Sequence, residues 1–167
     1  MTAARSRATA SLLKDGRVLI AGGESSGASL ATLEIFDPAA GSFSPVYRSL
    51  SAPRQDHAAA MLADGRVVIA GGSSGDAVLD SADLFDPATG EVSPAGKMTV
   101  ARAGLTATTL LDGRVLLAGG NNGERDLAST EIFDPARGAF LPAAAMDVAR
   151  SGHVAFRVPN NNSVLIA

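Results

Sequence analysis

The chain has two histidines, His57 and His153, and each stands three residues after an arginine, Arg54 and Arg150. Two imidazoles brought together from distant segments could hold a metal ion. The rest of a metal site is missing from the sequence: there is no cysteine, no third histidine and no carboxylate series at ligand spacing. At the matching places, three residues after Arg5 and Arg102, stand Ala8 and Leu105. A slot that takes Ala, His, Leu and His reads as a place for a filler side chain, and no cofactor is expected. The arginines themselves are the next candidates. Arg5, Arg54, Arg102 and Arg150 recur every 48 or 49 residues. Guanidinium groups gathered on one rim would suit a carboxylate or an acidic partner. A residue repeated in every unit also suits a brace between units, with Glu34, Asp83 or Glu131 as carboxylate partners. Both readings stand at this point.

A third group of candidates lies where the chain is polar, glycine-rich and varied. These stretches are ESSGAS (24–29), SSGDAV (73–78) and NNGERD (121–126). Loops of this kind on a rigid scaffold commonly carry binding residues. Glu24, Ser26, Ser73, Asp76, Asn121, Asn122 and Arg125 are the side chains they would present. None of the stretches is a phosphate loop, because no Gly-Lys-Ser/Thr follows. The recurring Asp37, Asp86 and Asp134 precede prolines and read as turn caps, with no Asp-x-Asp-x-Asp-Gly calcium loop. Asn161-Asn162-Ser163 has the form of a glycosylation sequon but falls in an expected hairpin turn.

The elements that position these residues follow from an internal repeat. DGRVLIAGG at 15–23 returns as DGRVVIAGG at 64–72 and DGRVLLAGG at 112–120, and Asn161 opens a fourth, partial copy. A second block follows each glycine pair: LEIFDPAAG (33–41), ADLFDPATG (82–90) and TEIFDPARG (130–138). Each unit reads as four short strands. The first is built of small residues and suits a crowded inner position. Asp-Gly then predicts a two-residue type I′ hairpin with positive φ at both central positions. The second strand, VLIA, VVIA or VLLA, is apolar throughout, as a strand covered on both faces should be. The third ends in a turn marked by Asp-Pro and a glycine four residues after the aspartate. The fourth carries Pro45, Pro94 or Pro142, and proline places a strand at the edge of its sheet.

Composition bounds the rest. Of 167 residues, 46% are hydrophobic and 19% charged, which describes a folded chain. A net charge of −3 without a basic cluster leaves no electrostatic footprint for nucleic acid. No apolar run approaches the length of a membrane-spanning helix, and no membrane association is expected. Aromatic residues make up only 4%, so the core must be aliphatic with a few phenylalanines.

Four antiparallel strands every 48 or 49 residues describe the blade of a β-propeller. The pattern R..H.A..L.DGRV.IAGG followed by S.E.FDP.TG.F resembles kelch repeats of the bacterial type. Phe36, Phe85 and Phe133 stand where that family carries a Tyr, and Phe43, Val92 and Phe140 where it carries a Trp. The expected fold is therefore an all-β, kelch-type β-propeller of about three and a half four-stranded antiparallel blades, an incomplete ring. It forms one partial domain over 1–167, with blade 1 at 1–49, blade 2 at 50–97, blade 3 at 98–145 and a partial blade 4 at 146–167. A closed ring takes roughly four to eight blades. Met1 also stands four residues before Arg5, as Met98 and Met146 do before Arg102 and Arg150. The expectation is a piece of a longer chain, open at its blade edges and able to self-associate there.

The resemblance implies a non-catalytic binding or scaffold module that presents its loop face to a protein or a carbohydrate ligand. The alternative it implies is a fragment of a propeller enzyme, similar to sugar epimerases or copper radical oxidases, whose active-site residues lie largely outside this chain. The oxidase site needs a Cys crosslinked to a Tyr, and here Tyr47 is alone and Cys is absent. Near-identity of the three copies favours binding, since a catalytic blade should depart from its siblings. The resemblance further implies a secreted or cell-surface parent protein.

Overall fold

The computed structural model describes Met1 and residues 3–167 of the chain. Among them the regular elements are all strands: β1 (Thr9–Leu12), β2 (Val18–Ala21), β3 (Glu24–Ser25), β4 (Ala28–Ser29), β5 (Leu33–Asp37) and β6 (Ser42–Pro45) form the first repeat. The second repeat holds β7 (Ala58–Met61), β8 (Val67–Ala70), β9 (Ser73–Ser74), β10 (Ala77–Val78), β11 (Ser81–Phe85) and β12 (Val92–Lys97). The third holds β13 (Thr106–Thr109), β14 (Val115–Ala118), β15 (Thr130–Asp134) and β16 (Ala139–Ala143), and the last sheet holds β17 (Ala155–Arg157) and β18 (Val164–Ile166).

Three four-stranded antiparallel sheets result, ordered β1-β2-β5-β6, β7-β8-β11-β12 and β13-β14-β15-β16, followed by the two-stranded β17-β18. The inner strands β1, β7, β13 and β17 adjoin one another in that sequence. Their side chains are small (TASL, AAAM, TATT), which lets backbones converge there. The proline-bearing β6, β12 and β16 close the outer edges, where a missing N–H costs no ladder bond. This is a propeller-like array of blades.

The blades stack through apolar faces. Along β8 the side chains alternate between two interfaces, as a strand's period of two requires. Val67 and Ile69 join Leu50, Phe85 and Val92 against Leu19 and Leu33 of the first blade. Val68 and Ala70 join Ala82, Ala95 and Met98 against Val115, Leu117, Phe133 and Phe140 of the third. All four residues of β8 are buried, so the absence of alternation in VVIA has its cause in this double packing. Each buried Val or Ile contributes about 2 kcal/mol.

The Asp-Gly turns differ from the type I′ expectation. Gly16, Gly65 and Gly113 have positive φ, at 86°, 98° and 83°, whereas Asp15, Asp64 and Asp112 do not. The Gly16 N–H donates to Leu13 O at 3.1 Å and Leu13 N–H to Arg17 O at 2.8 Å, giving a three-residue loop with a left-handed glycine. The aspartate is held on the right-handed side because its Oδ1 accepts the Arg17 N–H, at 3.0 Å, in an Asx turn. In the last sheet the loop is one residue longer, and Asn160 takes the positive φ of 64°.

The glycine pairs dock one blade on the next. The Gly23 N–H donates to Arg54 O at 2.8 Å, Gly72 to Arg102 O at 2.9 Å and Gly120 to Arg150 O at 2.9 Å. The first glycine of each pair lies directly under the same carbonyl. A Cβ on Gly22, Gly71 or Gly119 would come within 2.5 Å, 2.4 Å or 2.5 Å of it. Only a residue without a side chain allows that approach at these positive φ angles.

Candidate functional site

The arginines are set by this docking. The backbone of Arg54 is bound to the first blade through Gly23, and its side chain turns into the second. There Nη1 donates to Gly71 O at 2.7 Å and Ser81 O at 2.9 Å, and Nη2 to Ser81 Oγ at 3.2 Å and Asp83 Oδ2 at 2.9 Å. Arg102 repeats this with Gly119 O, Ser129 O, Ser129 Oγ and Glu131 Oε1. Arg5 does so with Gly22 O, Thr32 and Glu34. Arg54 and Arg102 are fully buried, each beside a carboxylate 1% exposed. Burial pulls the Arg54 guanidinium below its ordinary value, and the Asp83 charge and hydrogen bond oppose that pull. Of the two readings of the arginine series, the geometry places these guanidiniums inside the blades as braces. Among the described residues Arg150 donates only to Ile166 O, at 3.3 Å.

The histidines are far apart in role from a metal pair. His57 is buried between the first and second inner strands, with Nε2 2.8 Å from Thr9 Oγ1. His153 meets Thr106 Oγ1 at 3.0 Å in the same relation two junctions on. Burial drives the His57 pKa down to about 3, and the neighbouring Arg54 charge pushes the same way. His153 is lowered by burial and by Arg150. Leu105 fills the equivalent slot at the intervening junction, packed under Gly71 as His57 is under Gly22.

The varied polar stretches emerge directly after the glycine pairs. Two are miniature ribbons, β3–β4 and β9–β10, and the third is closed by a bridge from Asn121 to Asp126. Their bases are pinned by bridges from Ser6 to Glu24, Gln55 to Ser73 and Ala103 to Asn121. The ribbons are neighbours: Ser29 Oγ donates to Ser73 O at 3.4 Å, and Gly123 packs against Val78. The pinning segments carry their own relay, from Asp56 N–H to Arg7 O at 3.2 Å, Gly104 N–H to Asp56 O at 2.8 Å and Gly152 N–H to Gly104 O at 2.8 Å. These four residues all have positive φ, between 52° and 64°. Two of them are Gly, but Arg7 and Asp56 gave no sequence signal for it.

Some of the candidate side chains are committed within the loops. Glu24 Oε1 accepts the Gly27 N–H at 3.0 Å, Asn121 Oδ1 that of Gly123 at 2.8 Å, and Asn122 Oδ1 those of Glu124 and Arg125. Asp126, which the sequence did not single out, binds Asn121 Nδ2 at 2.8 Å and Ser151 Oγ at 2.7 Å, and those bonds hold its carboxyl below the usual range. Ser26, Asp76 and Arg125 are exposed, and among the described residues their side chains bind nothing. Beside the third loop lies a cleft of about 600 Å³ lined by Val100, Asn122, Arg125, Asp126, Leu127 and Ala149. Among the described residues no three His, Cys, Asp or Glu side chains are grouped to hold a metal ion.

No family model matches the chain, and no curated protein matches it. Among solved structures it is similar to one titled "Structure of YjhT", with a TM-score of 0.78 and 15% identity, over 90% of this chain and 56% of that one. The chain thus spans little more than half the length of that protein. At such identity the likeness carries the fold alone. With its stacked four-stranded antiparallel sheets, the chain is a propeller-type module.

Proposed function

We propose that the chain is a kelch-type binding module whose ligand face is formed by the three loops at 24–29, 73–78 and 121–126. The observation that carries this reading is a division of labour among polar groups. The arginines and carboxylates that repeat in the three full blades are consumed as internal braces, while the uncommitted Ser26, Asp76 and Arg125 stand on adjoining loops pinned to a rigid base. A hydroxyl, a carboxylate and a guanidinium, with the cleft beside Asn122 and Arg125, suit a protein segment or a carbohydrate. The alternative of an enzyme fragment draws on no equivalent cluster among the described residues.

The test is a glycan and peptide array probed with the wild-type chain and with a Ser26→Ala/Asp76→Ala/Arg125→Ala variant. A ligand whose binding weakens by about tenfold or more in the variant, at unchanged thermal stability, is the expected result. Ligands bound equally by both proteins would remove the loops from the site. Exchange of a sugar C–H with solvent deuterium in the presence of the chain would favour the enzyme.

A further inference from the structure

The chain has one Asn-Gly pair, Asn122–Gly123, and it stands in the third loop. A glycine amide next to an asparagine can attack the side-chain carbonyl, because no Cβ shields its nitrogen. The reaction needs a polarised carbonyl and a free amide, and the loop treats the two differently. Asn122 Oδ1, the oxygen that would take up negative charge, accepts the Glu124 N–H at 3.0 Å and the Arg125 N–H at 2.9 Å. Two backbone donors on that oxygen have the arrangement of an oxyanion hole. The Gly123 N–H, in contrast, is held by Asn121 Oδ1 at 2.8 Å. Asn121 is itself fixed, its Nδ2 donating to Asp126 Oδ1 at 2.8 Å. Gly123 is exposed, so water reaches the pair.

The Asp-Gly pairs of the chain offer a contrast. Asp15, Asp64 and Asp112 also precede glycines, but each is paired with the arginine two residues on. Those bonds hold their carboxyls below the usual range, and an ionised carboxylate is a poor electrophile. In the other two loops the residue before the glycine is Ser26 or Ser74, with no side-chain carbonyl to attack.

We propose that Asn122–Gly123 is a latched self-modification site, with Asn121 as the latch. When the Asn121 bond opens, the Gly123 amide gives its proton to hydroxide and its nitrogen bonds to Asn122 Cγ. The Cγ–Nδ2 bond then breaks, ammonia leaves with a proton from water, and a succinimide remains. Water adds to one ring carbonyl and opens the ring to aspartate or isoaspartate, so the net change is water in and ammonia out. The product places a carboxylate three residues before the exposed Arg125. On the reading of the loops as the ligand face, on which this consequence rests, the new charge competes with a ligand for that guanidinium.

The test ages the folded chain in mildly alkaline buffer and follows amide-to-acid conversion by mass spectrometry of residues 115–125, which trypsin releases by cutting after Arg114 and Arg125. Asn121→Ala should convert about fivefold faster than wild type or more, because the attacking amide loses its acceptor. Asn121→Asp keeps an Oδ1 acceptor while losing the Nδ2 bond to Asp126, and should hold the wild-type rate. The same three sequences as isolated peptides should convert at one common rate. Equal rates for folded wild type and Asn121→Ala at matched melting temperatures overturn the proposal. So does an Asn121→Asp chain that converts as fast as Asn121→Ala, or a difference of the same size between the isolated peptides. The mass readout needs no ligand, so the latch and the ligand face can fail separately.

Discussion

Replacing Arg102 by Met removes the cation from a site where neither it nor its partner sees water. Arg102 is fully buried and Glu131 is 1% exposed. The methionine keeps the bulk but leaves Glu131 with the Thr99 and Val100 N–H groups, takes the donor from Gly119 O, and leaves Ser129 O with the Gly119 N–H alone. Breaking one side of a buried pair costs about 3–5 kcal/mol. Set against a typical total of about 5–15 kcal/mol, that is a large share of the stability, and at this chain length it lowers Tm by about 10 °C. Arg150→Met is the internal control. It occupies the same repeat position with one long hydrogen bond and no carboxylate, so its loss should cost under about 1 kcal/mol. The double variant Arg102→Met/Glu131→Gln removes both charges and should recover more than half of the loss. The assay is urea unfolding followed by far-ultraviolet circular dichroism, because the chain has no Trp and its single Tyr47 is fully exposed. Equal midpoints for Arg102→Met and Arg150→Met would refute the brace.

Two further predictions rest on the blade junctions. Gly71→Ala should destabilise by about 3 kcal/mol or more, since its Cβ would fall 2.4 Å from Arg102 O, whereas Gly41→Ala, in open space at a φ of 62°, should cost about 1 kcal/mol; urea midpoints compare them. His57 stays neutral in the fold down to about pH 3 while the unfolded chain takes up its proton near pH 6.5, so it should lower stability as pH falls through that window by up to about 1.4 kcal/mol per unit, and His57→Leu should remove that share of the slope in urea unfolding at pH 4–7.

Much of the local structure could be read one short stretch at a time. Proline fixed β6, β12 and β16 as edges, and the Asp-Pro turns form as expected because Asp37, Asp86 and Asp134 accept N–H groups two residues on. The Asp-Gly loops differ in type from the local expectation because two opposed preferences meet there. Positive φ at the aspartate would complete a type I′ turn, but its carboxylate gains a bond to the arginine N–H by staying right-handed. The arginine braces were half legible. Arg and carboxylate keep a separation of 29 residues in all three copies, a regularity visible in the sequence once the pairing is known.

The sequence by itself determined the repeat, the number of strands in each full blade and which strands are terminal, because φ preferences, missing donors and hydrophobic period act within a few residues; of the apolar second strands only β8 is buried throughout, while β2 alternates. The tertiary structure alone decided where the arginines point, which carbonyl lies over each glycine pair, that His57 packs against Thr9, and which loop side chains stay free for a ligand. Those contacts join positions 17 to 48 residues apart. They exist only when sheet register and blade stacking bring the partners together.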